Sequence, residues 1–260
     1  MLKRFFPGTP PGTTQRNLTR LDLIEALQRP GCALCYLAQQ KSQRYVETLL
    51  DNAVTDVDQR DTWRRAKGFC HGHAWMATSV PQASGSLAIL YADVLRHEIE
   101  RLATLRASLL PARWQPWLPR HRLGKRVRHW LNVWQQRHTC PACRLWHEQE
   151  QLCLAVLLDD WYEPTLQAAF TQSSGVCVLH IARLIAHGTT HQHLPAFLAA
   201  QQEHLQALQA ELQEFIRKLD YRFAREPYGS EADAWQRVLA LFVGIPGWHH
   251  TTPSPSPDDC

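Results

Sequence analysis

A pattern of cysteine and histidine occurs twice in this 260-residue chain, and it restricts the possible folds more than any other feature. Cys32 and Cys35 form a C-x-x-C, followed by Cys70 and His73 as a C-x-x-H inside GFCHGHAW. Cys140 and Cys143 form a second C-x-x-C, followed by Cys177 and His180 as a second C-x-x-H inside GVCVLHIARL. The C-x-x-C motifs start 108 positions apart and the C-x-x-H motifs 107, so one gap aligns both halves. Three thiolates and one imidazole form a soft, four-coordinate ligand set that suits zinc. The chain is therefore expected to carry two such sets on a duplicated scaffold, each set closing its own half.

Periodicity makes the scaffold all-α. The segments after Cys35 and after Cys143 both read as amphipathic helices, and at the common offset Leu49-Leu50-Asp51 falls on Leu157-Leu158-Asp159. Each C-x-x-H is followed by a short helix, a polar loop and a long helix. In the first long helix Leu87, Tyr91, Val94, Glu98, Leu102 and Leu105 recur at steps of three and four. Leu194, Leu198, Gln201, Leu205, Leu208, Leu212, Phe215 and Leu219 do so in the second. The two long helices are expected to pack on each other through these heptad-like seams. Pro141 suits a first helical turn, so all four motifs are placed at helix N-termini, where backbone N–H groups and the helix dipole favour thiolate.

The resulting plan has a flexible N-terminus (residues 1–19), a first helical metal-binding repeat (20–110) and a basic, Trp-rich linker (111–138). A second metal-binding repeat (139–222), a C-terminal capping segment (223–247) and a disordered tail (248–260) follow. The stretch 101–139 has no Asp or Glu, and Arg120, Arg122, Lys125, Arg126, Arg128, Trp130 and Trp134 make it the candidate binding surface. Arginines meet phosphates and indoles stack on bases, so residues 113–137 are expected to suit an acidic protein or a nucleic acid. Two other readings of this stretch are a connector packed on the bundle and an amphipathic membrane-surface helix presenting Val127, Trp130, Leu131 and Trp134. A net charge of +4 identifies no partner class by itself.

No stretch approaches the roughly 20 apolar residues of a membrane span, and the proline-interrupted N-terminus lacks a signal-peptide core. A cytoplasmic protein is expected, where paired cysteine motifs mean metal more often than disulfides. The cofactor reading is two Zn2+, with a [4Fe-4S] cluster as the alternative. Sites closed by four protein ligands are structural, and with no H-E-x-x-H and no phosphate-binding glycine loop, no catalytic residue is nominated. The function expected is that of a metal-binding interaction or regulatory protein, the alternative being redox or metal handling.

Several further groups have ordinary explanations. Cys153 reads as a small buried hydrophobe and Cys260 as a free thiol in the tail. His187, His191 and His193 read as exposed residues of a loop, the alternative being a transition-metal site. Asp159, Asp160 and Glu163 read as solvent-facing residues at a helix end, the alternative being paired carboxylates for acid–base work. The segment DYRFAREPYGSEADAW reads as a salt-bridged cap, the alternative being a ligand pocket.

Three segments, GFCHGHAW, SLAILYADVL (residues 86–95) and EFIRKLDYRFAREPYGSEADAWQRVLALFVG (residues 214–244), resemble an uncharacterised bacterial family of unknown function that carries paired C-x-x-C and C-x-x-H motifs. With the CPAC and GVCVLH elements the resemblance spans roughly residues 20–247. It implies a helical, cysteine-rich protein and transfers no catalytic residue. His71 stands where similar sequences are expected to carry proline, which leaves His71 and His73 both open as the ligand of the first C-x-x-H. The spacing in the second half favours His73.

Overall fold

The computed structural model describes residues 13–52, 55–109, 140–223 and 225–244, with residues 128 and 132 in addition. Among them every regular element is helical, as the periodicity requires. The order is α1 (Thr13–Leu27), α2 (Ala33–Asn52), α3 (Val57–Arg65), α4 (His71–Thr78), α5 (Ala83–Leu109), α6 (Pro141–Asp159), α7 (Pro164–Thr171), α8 (Val178–His187), α9 (Leu194–Lys218) and α10 (Ala234–Val243). Two 3-10 turns, Tyr221–Phe223 and Ser230–Asp233, lie between α9 and α10.

The chain divides into two compact units, and these are not the two sequence halves. One unit comprises Met1–Lys41 and Trp146–Cys260, the other Ser42–Leu145. The divisions fall inside α2 and near the start of α6. Helix length accounts for this. A 20-residue α2 is roughly 30 Å long, so the chain entering at Cys32 is carried far from that motif before it turns into α3.

In the first unit α1 packs on α7, and α10 packs on both α8 and α9. Its core is set by Trp161, Phe170 and Phe197, whose ring centroids lie 5.2–5.3 Å apart. Such edge-on and tilted pairs add to the energy of burying the rings. Helix α1 begins at Thr13, inside the stretch expected to be a flexible N-terminus. Leu23, Ala26 and Leu27 are buried, and on the same side of the helix, nearer its N-terminus, Arg16 bonds Asp159 and Asp160 while Arg20 bonds Glu163 at 3.3 Å. An i, i+4 pair of arginines meeting three carboxylates anchors this helix. The carboxylates thus do not simply face solvent: Asp160 is 2% exposed.

In the second unit α3 and α4 both pack on α5. Trp63 lies edge-on to Phe69 (4.4 Å) and Tyr91 (5.1 Å), and its indole N–H donates to the Leu90 carbonyl at 3.3 Å. Buried Asp93 on α5 accepts from Arg64 at 2.9 Å and from Arg96. Burial alone would raise the Asp93 carboxyl, but these two guanidinium groups hold it below the usual carboxylate range.

The inward sides of the long helices follow the expected rhythm, with Leu87, Tyr91 and Val94 packed against the second core and Leu198 against the first. Leu102 and Leu219, placed in the same seams, are exposed. Helix α5 packs on α3 and α4, and α9 packs on α10 and the two 3-10 turns. The C-terminal segment folds back along α9 through ion pairs. Lys218 reaches Glu231 at 2.6 Å and the Pro227 carbonyl at 2.8 Å, while Arg217 bonds both Glu214 and Glu226.

Candidate metal centres

Each motif lays down the same local geometry. Cys32, Cys70, Cys140 and Cys177 each stand just before a helix, and their carbonyls accept the first intrahelical bonds, from Tyr36, Ala74, Arg144 and Ile181, at 2.9–3.1 Å. Cys70 and Cys177 have extended N-cap backbones, with ψ of 172° and 160°. The two-residue spacing puts Cys35, His73, Cys143 and His180 three positions on, in the first turn. Each pair of side chains therefore sits on one side of a helix start, among unpaired N–H groups and at the positive end of the dipole. Gly68 and Gly175, each two residues before a C-x-x-H, turn the chain into the helix with φ of +85° and +70°, a region that favours glycine.

These four ligand pairs form two groups, and the grouping differs from the expected one. Cys32 and Cys35 lie with Cys177 and His180, and Cys140 and Cys143 lie with Cys70 and His73. The C-x-x-C of each half thus meets the C-x-x-H of the other, so neither half closes on itself. Each group belongs wholly to one compact unit. Within each group the four donor atoms lie within 4.8 Å of one another.

In the first group His180 Nδ1 is 3.3 Å from Cys32 Sγ, 3.5 Å from Cys35 Sγ and 3.1 Å from Cys177 Sγ, and Cys35 Sγ is 3.8 Å from Cys177 Sγ. In the second, His73 Nδ1 is 3.2 Å from Cys70 Sγ, 3.3 Å from Cys143 Sγ and 3.8 Å from Cys140 Sγ, and Cys143 Sγ is 3.4 Å from Cys70 Sγ. Bond lengths to zinc imply tetrahedral edges of about 3.8 Å between sulfurs and about 3.5 Å from sulfur to nitrogen. The observed edges cluster there, well beyond the roughly 2 Å of a disulfide. The two groups can each hold a metal ion. His73 is the histidine of its group, whereas His71 is exposed on the surface.

The protonation pattern fits a cation site. Cys70 is held far below the ordinary thiol range by hydrogen bonds from Cys140 and Cys143, and Cys177 likewise by Cys32 and Cys35. Cys35 and Cys143 are pushed up, as donors to Cys177 and Cys140 foremost. Burial would lower His73, but its bonds to Cys140 and Cys70 push it up to about 9. Three crowded sulfurs can all ionise only when a cation replaces those shared protons.

A residue that sequence reasoning did not single out completes the first group. Glu150 on α6 is 1% exposed, and its Oε1 lies 2.7 Å from His180 Nε2, the ring atom opposite the cysteines. It also meets Arg183, and its Oε2 lies 3.4 Å from His147 Nδ1. Desolvation alone would raise its carboxyl, but His147, His180 and Arg183 hold it well below the usual range. A carboxylate on the outer nitrogen of a metal-binding histidine fixes its orientation and tautomer. Gln201 is a second such residue: buried on α9, it accepts from the Val176 N–H at 2.9 Å, one residue before Cys177. In the sequence it read only as a polar break in a seam. Seven residues after each C-x-x-C stand Glu150 and Ser42, and that register could have drawn attention to Glu150.

The other candidates are placed as follows. Cys153 is fully buried and its thiol is pushed up to about 12 by desolvation, as a small core residue requires. His191 bonds Asp159 at 3.0 Å and His193 the Leu158 carbonyl at 3.1 Å, so both fasten the loop to the end of α6. Of the proposed binding surface, Arg128 is helical and exposed, and Arg120, Arg122, Lys125, Arg126, Trp130 and Trp134 lie outside the described residues. So do Cys260 and the tail. No helix among the described residues is long and apolar enough to cross a membrane.

The chain belongs to a family of unknown function, DUF6062, whose model matches residues 15–246. No curated protein and no solved structure matches it.

Proposed function

We propose, taking that family membership as the premise, that the protein is a non-enzymatic interaction or regulatory protein whose fold is held by two structural zinc ions. Each ion clips the N-termini of two helices drawn from opposite halves of the chain. The observation that carries this reading is the convergence of eight sequence-distant ligands into two compact sets of donor atoms. Four protein donors leave no position open for water, which is the character of a structural site rather than a catalytic one. The donors are spaced for a single ion. A cubane, with irons and sulfides of its own between the ligands, needs them farther apart.

Zinc joining paired helix starts supplies cross-links that two modest cores otherwise lack, and metal binding and folding become one equilibrium. The partner surface in this reading is the basic, tryptophan-bearing stretch 113–137, offered to an acidic protein or a nucleic acid in the cytoplasm. Elemental analysis with a visible spectrum of anaerobically purified protein tests the metal. Two zinc ions per chain with no absorbance near 400 nm (about where iron–sulfur charge transfer falls) is the expected result, and iron with that band overturns it. For the partner, nucleic-acid binding that weakens steeply with salt and disappears on deletion of residues 113–137 supports the surface. Binding that survives the deletion contradicts it.

A further inference from the structure

The two ligand groups share a design but not their surroundings. His180 is fully buried and its Nε2 faces Glu150 Oε1 at 2.7 Å. Glu150 is itself held by Arg183 and His147, so its position does not depend on the ligand group alone. The corresponding position in the sequence register of the other half, seven residues after the C-x-x-C, is Ser42, also buried, a neutral residue where α6 carries a carboxylate. The groups differ in access as well. Cys32, Cys35, Cys177 and His180 are all buried, whereas Cys70 is partly exposed, next in sequence to exposed His71 and five residues before Trp75, which is 65% exposed.

An anionic acceptor on the outer nitrogen raises the basicity of a ligating imidazole and removes its freedom to rotate away, typically at a gain of about 10–100-fold in metal retention. Exposure of a ligating sulfur acts in the other direction. Chelators and electrophiles exchange ligands by an associative route, so they need to reach one donor atom before the others let go.

We infer that the two sites are functionally unequal: Glu150 is a positioning residue that makes the site of Cys32, Cys35, Cys177 and His180 the retentive one, and the site of Cys70, His73, Cys140 and Cys143 is the one that exchanges its metal. This rests on the metal-binding reading above. It gives the second site a specific capacity, the loss and recapture of zinc through Cys70 while the first unit stays clipped.

The zinc-loaded full-length chain tests this with a chromogenic chelator in excess, zinc release being followed by absorbance and thiol exposure by N-ethylmaleimide labelling with peptide mass spectrometry. Two release phases of one zinc each are expected. Cys70, Cys140 and Cys143 become labelled in the fast phase, and Cys32, Cys35 and Cys177 in the slow one. Glu150→Gln, which keeps the shape of the side chain, is expected to speed the slow phase at least tenfold and leave the fast phase unchanged. In the cobalt-substituted chain the same variant shifts the visible bands of the first site, which a merely structural role for Glu150 leaves in place. Ser42→Ala, at the position matching Glu150 in the sequence register, is expected to leave the slow phase unchanged. A single release phase, a fast phase that labels Cys32 and Cys35, or a slow phase indifferent to Glu150→Gln overturns the inference while leaving the metal reading intact. A chain that binds no zinc overturns both.

Discussion

Replacing Cys32 by serine perturbs the one feature that separates the observed fold from a pair of self-contained halves. Cys32 lies at the start of α2, and its group includes Cys177 and His180, so the lost clip is one that joins Cys35 to Cys177, 142 residues apart. By the chain-entropy relation used for cross-links, closing a loop of that length constrains the unfolded chain by about 5 kcal/mol. A clip from Cys35 to the nearer Cys70 would give about 4 kcal/mol by the same relation. Compact domains are stable by only about 5–15 kcal/mol, so loss of the clip takes the first unit close to unfolding. Hydrogen–deuterium exchange of Cys32→Ser, read peptide by peptide, shows where this happens. Protection is expected to collapse in α8, α9 and α10, more than a hundred residues along the chain, and to persist in α3, α4 and α5. The reverse pattern, with α3–α5 exchanging and α8–α10 protected, would refute the crossed arrangement and restore two independently clipped halves.

Gln201→Leu leaves the Val176 N–H buried without its acceptor, at a cost of about 1–3 kcal/mol, and thermal melting is expected to fall by several degrees. Gly68→Ala places a methyl about 3.0 Å from the Tyr91 ring at a φ of +85°, so it is expected to destabilise the second unit by at least about 1 kcal/mol, read by denaturant titration. Asp93 has a depressed carboxyl, so its contribution is present above its unfolded value, near 4, and is lost as pH falls towards the lower folded value. Asp93→Asn is therefore expected to destabilise the protein at neutral pH and to flatten the acid side of its stability profile, and an unchanged acid slope would remove Asp93 from that account.

Much of this architecture was legible in the sequence because it is local. Period-3.6 apolar spacing fixes helices, and a C-x-x-C or C-x-x-H at a helix start fixes the N-cap and first-turn placement of all eight candidate ligands. The salt-bridged character of residues 220–235 was legible for a similar reason, its charges being close in sequence, and Glu226 and Glu231 of that segment pair with Arg217 and Lys218 of α9. What failed was the pairing of the motifs. Spacing reports that two half-sites exist and is silent on which two meet. The duplicated order suggested that each C-x-x-C meets the C-x-x-H that follows it, yet about 30 Å of α2 carries the chain away from its own C-x-x-C. Asp160 was misjudged because its partners, Arg16 and Arg20, lie on a helix 140 residues upstream that read as a flexible end. Glu150 and Gln201 were missed because a single polar residue in a helical seam shows its purpose only when the atom it faces is known.

The crossed pairing is tested most directly by counting zinc in two double variants. Cys32→Ser with Cys177→Ser removes two ligands from one group and none from the other, so one zinc per chain is expected to remain. Cys32→Ser with Cys70→Ser strikes both groups, and no zinc bound in a full Cys3His set is expected. One retained zinc in the second variant and none in the first would contradict the account and return each ion to its own half of the chain.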